Sequence, residues 1–354
     1  MTPLPHRELH EGLGASFTQV NDAEVVDHYG NLANEFLHLT QSAGILDFSF
    51  RGRICVLGED RAKYLHGQLT NDINRLQPGQ GCYSALCNQK GRFEADLNVH
   101  CLENEILLDF EPGLSELVAE RLERNIVADD VELADVAPHF GLLSVQGPKS
   151  ADVVADLEAH CPTEDYAVTW SEHETLGQIY VARNSRLGSN GFDVYASENS
   201  IPAIADKLIA AAHNHGGGTA GWSAFETARI AAGIPRFGQD MTDANLVPEA
   251  GIAESAVSYK KGCYIGQEIL NRLRTFAEVS RTLRRLQFAD GAAAPEVGAS
   301  LELAGKSVGK VTSVALPPGA SRPVAMGYIH KSANEAGTEL NVAGQTVTVA
   351  NLPA

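Results

Sequence analysis

The sequence predicts an α+β fold, in which two duplicated ferredoxin-like modules form one body and a C-terminal antiparallel β-barrel follows. The first observation is a repeat: a strand, a glycine and a helix recur, with Gly58 and Gly147 roughly 89 residues apart. The second is the order strand, helix, strands, helix in each copy, which is that of a split βαβ unit. The third is a series of short alternating segments after Thr282, which favours a small barrel.

The region before the first copy is predicted to contain one helix and one strand. A helix is expected over residues 22–40, because apolar side chains recur there at helical spacing. Gly44 ends this region, and the apolar segment 45–49 is expected to be an internal strand.

The two copies are predicted to contain matching elements. In the first copy these are a strand at 53–57, a helix at 60–69, strands at 82–88, 92–101 and 106–110, and a helix at 114–126. In the second copy they are a strand at 142–146, a helix at 149–159, strands at 179–183 and 191–196, and a helix at 201–213. A further helix at 222–233 is followed by a rigid turn.

Three domains follow from this arrangement. Residues 1–50 together with 140–278 form the first module, residues 51–139 form the second, and residues 279–354 form the barrel. The expected barrel strands are 284–288, 307–313, 324–330, 339–342 and 346–349.

Composition excludes several functional classes. The formal net charge of -18 argues against broad binding to a phosphate backbone. We expect no membrane association, since no apolar run approaches the roughly 20 residues of a spanning helix. We also expect no secretory signal, since residues 1–13 contain no apolar core segment. The 6 cysteines form no C-x-x-C pair, which disfavours a zinc site and a disulfide framework. No metal site is predicted, and a reducing cytoplasm is the expected location.

Two acidic residues on one predicted strand are candidates for acid–base chemistry. Glu94 and Asp96 follow a hairpin, and strand alternation places their side chains on the same face. If that face lines a pocket, each carboxylate would raise the pKa of the other, as general acid–base catalysis requires. If it faces water, the two groups are merely solvated.

The most unusual stretch of the chain is Lys-Lys-Gly-Cys-Tyr-Ile-Gly-Gln-Glu at residues 260–268, which a series of arginines follows. Neighbouring lysines and a helix starting after Gly266 would both lower the pKa of a thiol, so Cys263 is a candidate reactive cysteine. The alternative is a small buried hydrophobic residue, which most free cysteines are.

Residues 261–268 resemble the signature of the YgfZ branch of the folate-binding family that includes the glycine-cleavage T protein. Residues 64–72 (Tyr-Leu-His-Gly-Gln-Leu-Thr-Asn-Asp) are also similar to this family, and weaker similarities at 44–49, 88–96 and 220–241 extend the resemblance over nearly the whole chain. The resemblance implies that the two modules form a folate-binding body and that the first module carries the signature loop.

The resemblance also assigns roles to individual residues. Asp96 matches an aspartate that contacts folate near its reacting nitrogens, where a carboxylate stabilises developing positive charge. Asp193 matches an acid that binds the pterin edge, although the family usually has glutamate there. Arg186 is expected to line the pocket beside Asp193. Glu226 and Arg229 belong to a similar motif and are also expected to contribute to folate binding, with Arg229 bracing the structure through Glu226.

Three departures separate this chain from the aminomethyltransferases of the family. Phe225 stands where they have an arginine, Phe50 where they have a histidine, and residues 183–188 replace their Gly-Tyr-Thr-Gly loop. The resemblance therefore implies a tetrahydrofolate-binding accessory protein that supports iron-sulfur cluster assembly or repair, including that of tRNA-modifying enzymes, with Cys263 in thiol or cluster chemistry. Its expected partners are iron-sulfur client or assembly proteins. The alternatives are a folate-dependent aminomethyltransferase and a non-catalytic protein-binding scaffold.

Overall fold

The computed structural model describes residues 2–275 and 278–353. Its strands, in chain order, are β1 Ser16–Val20, β2 Ala23–His28, β3 Gly44–Asp47, β4 Gly52–Leu57, β5 Gly81–Cys87, β6 Phe93–Cys101, β7 Ile106–Phe110, β8 Glu132–Asp135, β9 Phe140–Gln146, β10 Val168–His173, β11 Gly177–Arg183, β12 Gly191–Ser197, β13 Gly218–Thr219, β14 Arg281–Phe288, β15 Ser300–Leu303, β16 Lys306–Ala315, β17 Val324–His330, β18 Glu339–Val342 and β19 Gln345–Ala350. The α-helices are α1 Arg7–Gly12, α2 Leu32–Gln41, α3 Arg61–Gln68, α4 Ser115–Glu123, α5 Ser150–Ala155, α6 Ile201–Asn214, α7 Trp222–Ala232, α8 Ala253–Ala256 and α9 Gln267–Thr275.

The predicted α+β class and C-terminal barrel are confirmed, and the duplication is visible in the topology. The first copy runs β4-α3-β5-β6-β7-α4-β8, and the second runs β9-α5-β10-β11-β12-α6-β13. The sheet orders are β5-β6-β7-β4-β8 and β10-β11-β12-β9-β3-β13, so they differ only by β3, which is inserted between β9 and β13. Strands β14 to β19 close the barrel in the order β14-β17-β16-β15-β18-β19.

The two glycines that first indicated the repeat have the same role in both copies. Gly58 and Gly147 adopt φ angles of 97° and 126°, a region that residues with a side chain rarely adopt. A Cβ atom on Gly58 would lie 2.0 Å from the carbonyl oxygen of Asp130, and one on Gly147 would lie 2.5 Å from that of Ser42. Only glycine permits the backbone to approach this closely.

The hydrophobic cores show how the modules pack. One core lies between the second sheet and helices α5 and α6, and another lies between the first sheet and helices α3 and α4. A third core combines Leu46, Leu142 and Tyr195 of one sheet with Cys55 and Leu107 of the other. The inner faces of the two sheets therefore pack together, with the α3/α4 and α5/α6 helix pairs outside.

The helix prediction for residues 22–40 was wrong at its N-terminal end. Residues Ala23–His28 form β2, which pairs with β1, and the helix begins only at Leu32 after Asn31, whose side chain accepts a hydrogen bond from the backbone N–H of Asn34. The β-branched Val25 and Val26 are buried in this hairpin, where such side chains pack well. Gly30, with φ of 95°, separates the two elements.

Strands β8 and β10 were not predicted, since each is a short polar edge segment with weak alternation. Strand β15 was not predicted either, since it has only 4 residues. In the described part of the chain, no helix has the length and apolar character that crossing a bilayer requires.

Candidate functional site

A cavity of about 370 Å³ is bordered by both sheets, helix α7, Leu352 and Pro353. This volume lies within the range of roughly 300–1,000 Å³ that is usual for small-molecule sites. Its aromatic lining residues are Phe48, Phe50, Tyr83, Tyr166, Trp222 and Phe225. The rings of Tyr83 and Tyr166 are nearly parallel, with centroids 6.1 Å apart. These side chains give the cavity flat apolar surfaces suited to an aromatic ligand.

Asp96 lies on β6 and lines this cavity. The Tyr83 hydroxyl donates a 2.7 Å hydrogen bond to its Oδ2, whereas its Oδ1 is buried and has no partner among the described residues. Burial, together with the nearby Glu111 carboxylate, raises the pKa of Asp96 to about 6 against the lowering effects of Tyr83 and Arg51. A buried acceptor without a partner in a concave site is one that a ligand can satisfy.

Glu94 does not form the carboxylate pair that strand alternation suggested. Its Oε2 accepts a 2.8 Å hydrogen bond from Nε of Arg121 on α4, and Glu94 does not line the cavity. The like charge that raises the pKa of Asp96 is that of Glu111, which follows β7. Side-chain alternation gave the correct face for Asp96 but could not show which acid from another strand would be its neighbour.

A chain of alternating acidic and basic side chains runs along the cavity wall. In spatial order it consists of Asp193, Arg186, Asp109, Arg51, Glu111, Arg236, Glu226, Arg229 and Asp240. All eight contacts between neighbours are 2.5–3.0 Å long. All four arginines of this chain border the cavity.

The two modules contribute equivalent acids to this chain. Asp109 lies on β7 and Asp193 on the matching strand β12, and Arg186 donates to both. Burial alone would raise the pKa of Asp109, but Arg51 and Arg186 hold the pKa well below its usual range. In the same way Arg51 and Arg236 keep the pKa of Glu111 low despite its burial. Asp109 and Glu111 are therefore charged, and arginines contact both of them.

Asp193 does not lie on the cavity surface, contrary to the expectation that it lines the pocket. It is fully buried, and both of its carboxylate oxygens accept hydrogen bonds from Ser144, Asn184 and Arg186. Arg186 does line the cavity, as expected, and covers the carboxylate. Asp193 thus positions Arg186 and has no oxygen left for a ligand.

Glu226 and Arg229 are placed differently from each other. Arg229 borders the cavity with only 1% of its surface exposed, whereas Glu226 does not border it. Arg229 donates to Glu226, to Asp240 at 2.5 Å and to the hydroxyl of Ser313 on β16. Arg229 fastens α7 to the barrel through Ser313 and through Asp240, which accepts hydrogen bonds from Thr312 and Ser313 of β16.

Cys263 lies apart from the cavity. It is exposed and is not among the lining residues.

Lys261, which we expected to activate the thiol, instead donates from Nζ to the carbonyls of His66, Leu69 and Asn71 at 2.5, 2.7 and 2.7 Å. These carbonyls belong to the last turn of α3 and to the residues just after it, so Lys261 caps this helix. Burial lowers the pKa of the Lys261 ammonium group to about 8. The two most specific sequence motifs, 64–72 and 261–268, are therefore joined through one ammonium group.

Lys261→Met is expected to destabilise the protein by about 2–4 kcal/mol, because it leaves buried carbonyl groups without donors. The melting temperature and the denaturant midpoint measure this loss. Lys260→Met is the matched control, since Lys260 is exposed and makes no such contact. Equal melting temperatures for the two variants would contradict the capping role.

Sequence reasoning missed several residues of the site. Tyr83, Arg51, Asp109 and Glu111 were not selected, although they hold Asp96 or its charged neighbours. One signal was present, since Asp109 interrupts the otherwise apolar strand Ile106–Phe110. A charge within a fully buried strand requires a partner and could have indicated the arginines.

Comparison with known proteins identifies relatives of the whole chain. The family model described as the GCVT N-terminal domain matches residues 6–261, and the glycine cleavage T-protein C-terminal barrel domain matches residues 281–352. An aminomethyltransferase of Saccharopolyspora erythraea is 29% identical over 347 residues, covering 96% of this chain and 93% of that protein. A chloroplastic putative transferase of Arabidopsis thaliana is 29% identical over 345 residues, covering 96% of this chain and 77% of that protein.

A solved structure agrees with these relatives. The crystal structure of glycine cleavage system aminomethyltransferase T from Bartonella henselae superposes with a TM-score of 0.89 at 26% sequence identity. The match covers 99% of this chain and 97% of that one. Both modules and the barrel are therefore common to the two proteins.

Proposed function

Because the chain belongs to the glycine cleavage T-protein family, we propose that it binds a reduced folate in the cavity and acts as a folate-dependent aminomethyltransferase. The observation that carries this proposal is the buried Oδ1 of Asp96, which lacks a partner where the cavity is lined by aromatic rings. The names of the relatives support the same activity.

The residues present fit a folate. The rings of Tyr83, Tyr166 and Trp222 offer apolar faces for a pterin, and the arginines of the wall offer hydrogen-bond donors for its oxygen atoms. A cavity of about 370 Å³ accommodates the pterin while the rest of the molecule reaches toward solvent.

When bound, a reduced folate supplies the nucleophilic nitrogens that accept a one-carbon unit. Asp96 would orient the reacting nitrogen by accepting its proton in a hydrogen bond, and its negative charge would stabilise the positive charge that develops during transfer. Tyr83 holds the carboxylate in place through Oδ2, which leaves Oδ1 for the ligand. Since only the ionised carboxylate has this effect, activity should rise as the pH passes the Asp96 pKa of about 6.

Turnover and binding assays test the proposal together. The protein is mixed with tetrahydrofolate and a lipoyl carrier protein loaded with an aminomethyl group, and released ammonia and methylenetetrahydrofolate are measured. Production of both supports the transferase. Calorimetry that detects tetrahydrofolate binding without turnover would instead support the accessory role, and a titration with no heat would leave only a scaffold that binds protein partners.

The accessory role is the second candidate function, and the exposed Cys263 favours it. In this role the chain would belong to the YgfZ branch and support iron-sulfur enzymes by binding client or assembly proteins. A thiol outside the cavity can meet another protein without disturbing folate. One cysteine cannot hold a cluster alone, so a partner would have to supply the remaining ligands.

Cys263→Ser separates the two functions. In the accessory role, this change should abolish the protein's support of iron-sulfur enzyme activity in a reconstituted assay while tetrahydrofolate affinity stays the same. In the transferase role, it should leave turnover within about twofold of the original, because Cys263 lies outside the cavity. Cys161→Ser is a control for thiol removal at a half-buried position.

A further inference from the structure

We propose that Arg186 selects the ligand by donating a hydrogen bond to the 4-oxo oxygen of a reduced pterin, next to the nitrogen that Asp96 faces. This inference rests on the folate binding proposed above and names the part of the ligand that the wall distinguishes.

The guanidinium of Arg186 is held in place, but not all of its nitrogens donate hydrogen bonds. Its Nε donates to both carboxylate oxygens of Asp193, and its Nη2 donates to Asp193 at 2.6 Å and Asp109 at 2.9 Å. Its Nη1 donates to no atom of residues 2–275 or 278–353. The group also lies 5.3 Å from the centre of the Phe48 ring. Two carboxylates and one ring therefore hold the side chain at the cavity with one nitrogen available to a ligand.

Asp96 and Arg186 are neighbours on the same wall. Asn98 lies two residues after Asp96 on β6, so the two side chains share one face of the sheet. The Asn98 side-chain amide donates at 2.9 Å to Oδ2 of Asp109, the same oxygen that Arg186 reaches at 2.9 Å. The cavity thus presents an acceptor at Asp96 and a donor at Arg186, with Asn98 between them.

A reduced pterin carries the complementary pair of atoms. Its C4 carbonyl oxygen and its N5–H project on the same side of the fused rings, so an acceptor and a donor lie next to each other. Asp96 would accept from N5–H while Arg186 donates to the 4-oxo oxygen. A 4-amino pterin has a donor in place of this oxygen and would face Arg186 donor to donor.

The rest of the wall cannot compensate for this mismatch. The carboxylates of Asp109, Glu111 and Asp193 are all engaged by arginines, as described above. Oδ1 of Asp96 would already accept from N5–H, and none of these three carboxylates is free to accept from a 4-amino group. When a ligand leaves buried polar groups of its site without hydrogen-bond partners, the site discriminates strongly against that ligand.

The test compares two ligands on the unaltered protein by calorimetry under anaerobic conditions at about pH 8, above the pKa of Asp96. Tetrahydrofolate should bind at least about tenfold more tightly than its 4-amino-4-deoxy analogue, which corresponds to one hydrogen bond to a charged group. Equal affinities, or tighter binding of the 4-amino compound, would overturn the role of Arg186 while leaving folate binding intact. Absence of binding by either compound would overturn the proposed function as well.

A variant tests whether Arg186 is the source of the discrimination. Arg186→Gln combined with Asp193→Asn removes the cation together with a carboxylate that would otherwise be buried without a partner. The ratio of the two affinities should fall to within about threefold. Arg183→Gln is the matched control at the end of β11, three residues before Arg186. Arg183 pairs with the exposed Asp165 and does not line the cavity, so this variant should keep the full ratio. Retention of the full affinity ratio in the double variant would refute the assignment of Arg186 as the selecting residue. If this variant does not fold, the comparison of the two ligands on the unaltered protein decides whether Arg186 has this role.

Discussion

Asp96→Asn is expected to lower aminomethyl transfer by at least about 10²-fold, because the amide cannot offset the positive charge that develops on the reacting nitrogen. The same change should stabilise the protein at high pH. The native state retains a proton on Asp96 up to a pKa of about 6, whereas the unfolded chain releases it near the ordinary 3.8. Stability therefore decreases as the pH rises through this interval, and above it the native state contains a destabilising buried charge.

Removal of that charge should raise the free energy of unfolding by on the order of 1–2 kcal/mol at about pH 8, and should have little effect at about pH 3. Denaturant unfolding at both pH values and a turnover assay provide the measurements. Glu94→Gln is the matched control, since Glu94 lies on the same strand but contacts Arg121 outside the cavity. A variant of Asp96 that keeps full turnover would contradict the role of this carboxylate.

Arg229→Met is expected to have the largest effect on stability, about 3–5 kcal/mol. The change removes a fully buried cation and leaves Asp240 buried with no charge partner among the described residues, while Glu226 keeps only Arg236. It also breaks the link from α7 to Ser313 of the barrel, so the barrel should loosen from the body. The melting temperature and the protease susceptibility of the segment that joins body and barrel measure both effects.

Two companion variants sharpen this experiment. Arg75→Met removes an arginine that is 77% exposed in its ion pair with Asp72, and should cost no more than about 1 kcal/mol. Arg229→Met with Asp240→Asn should regain part of the lost stability, because the carboxylate no longer needs a counter-charge. If Arg229→Met were as mild as Arg75→Met, the charged chain would not hold α7 to the barrel.

Local patterns predicted most of the fold. The alternation and apolar runs of the repeated strands and helices identified both copies, since these elements are long and bury a defined face. Prediction failed at residues 22–28 and at the short edge strands, where pairing with another segment decides the conformation of a weakly patterned sequence. The proposed domain boundaries remain predictions.

The candidate site was predictable only in part. Asp96 and Arg186 were selected by resemblance, and both line the cavity. Tyr83 on β5 and Glu111 just after β7 set the environment of Asp96, and neither has a local signature in the sequence. The resemblance placed Asp193 in the pocket, but it could not show that Arg186 would cover this acid.

The sequence by itself determined the duplicated α+β body, the barrel and the family, because hydrophobic periodicity, glycine positions and motifs are local properties of the chain. Only the tertiary structure decided which acids are free and which are paired. A carboxylate's chemistry depends on the charges that other elements bring within a few ångströms of it, and burial strengthens these interactions. For this reason Asp96 has an oxygen available to a ligand, whereas Asp109, Glu111 and Asp193 are committed to arginines.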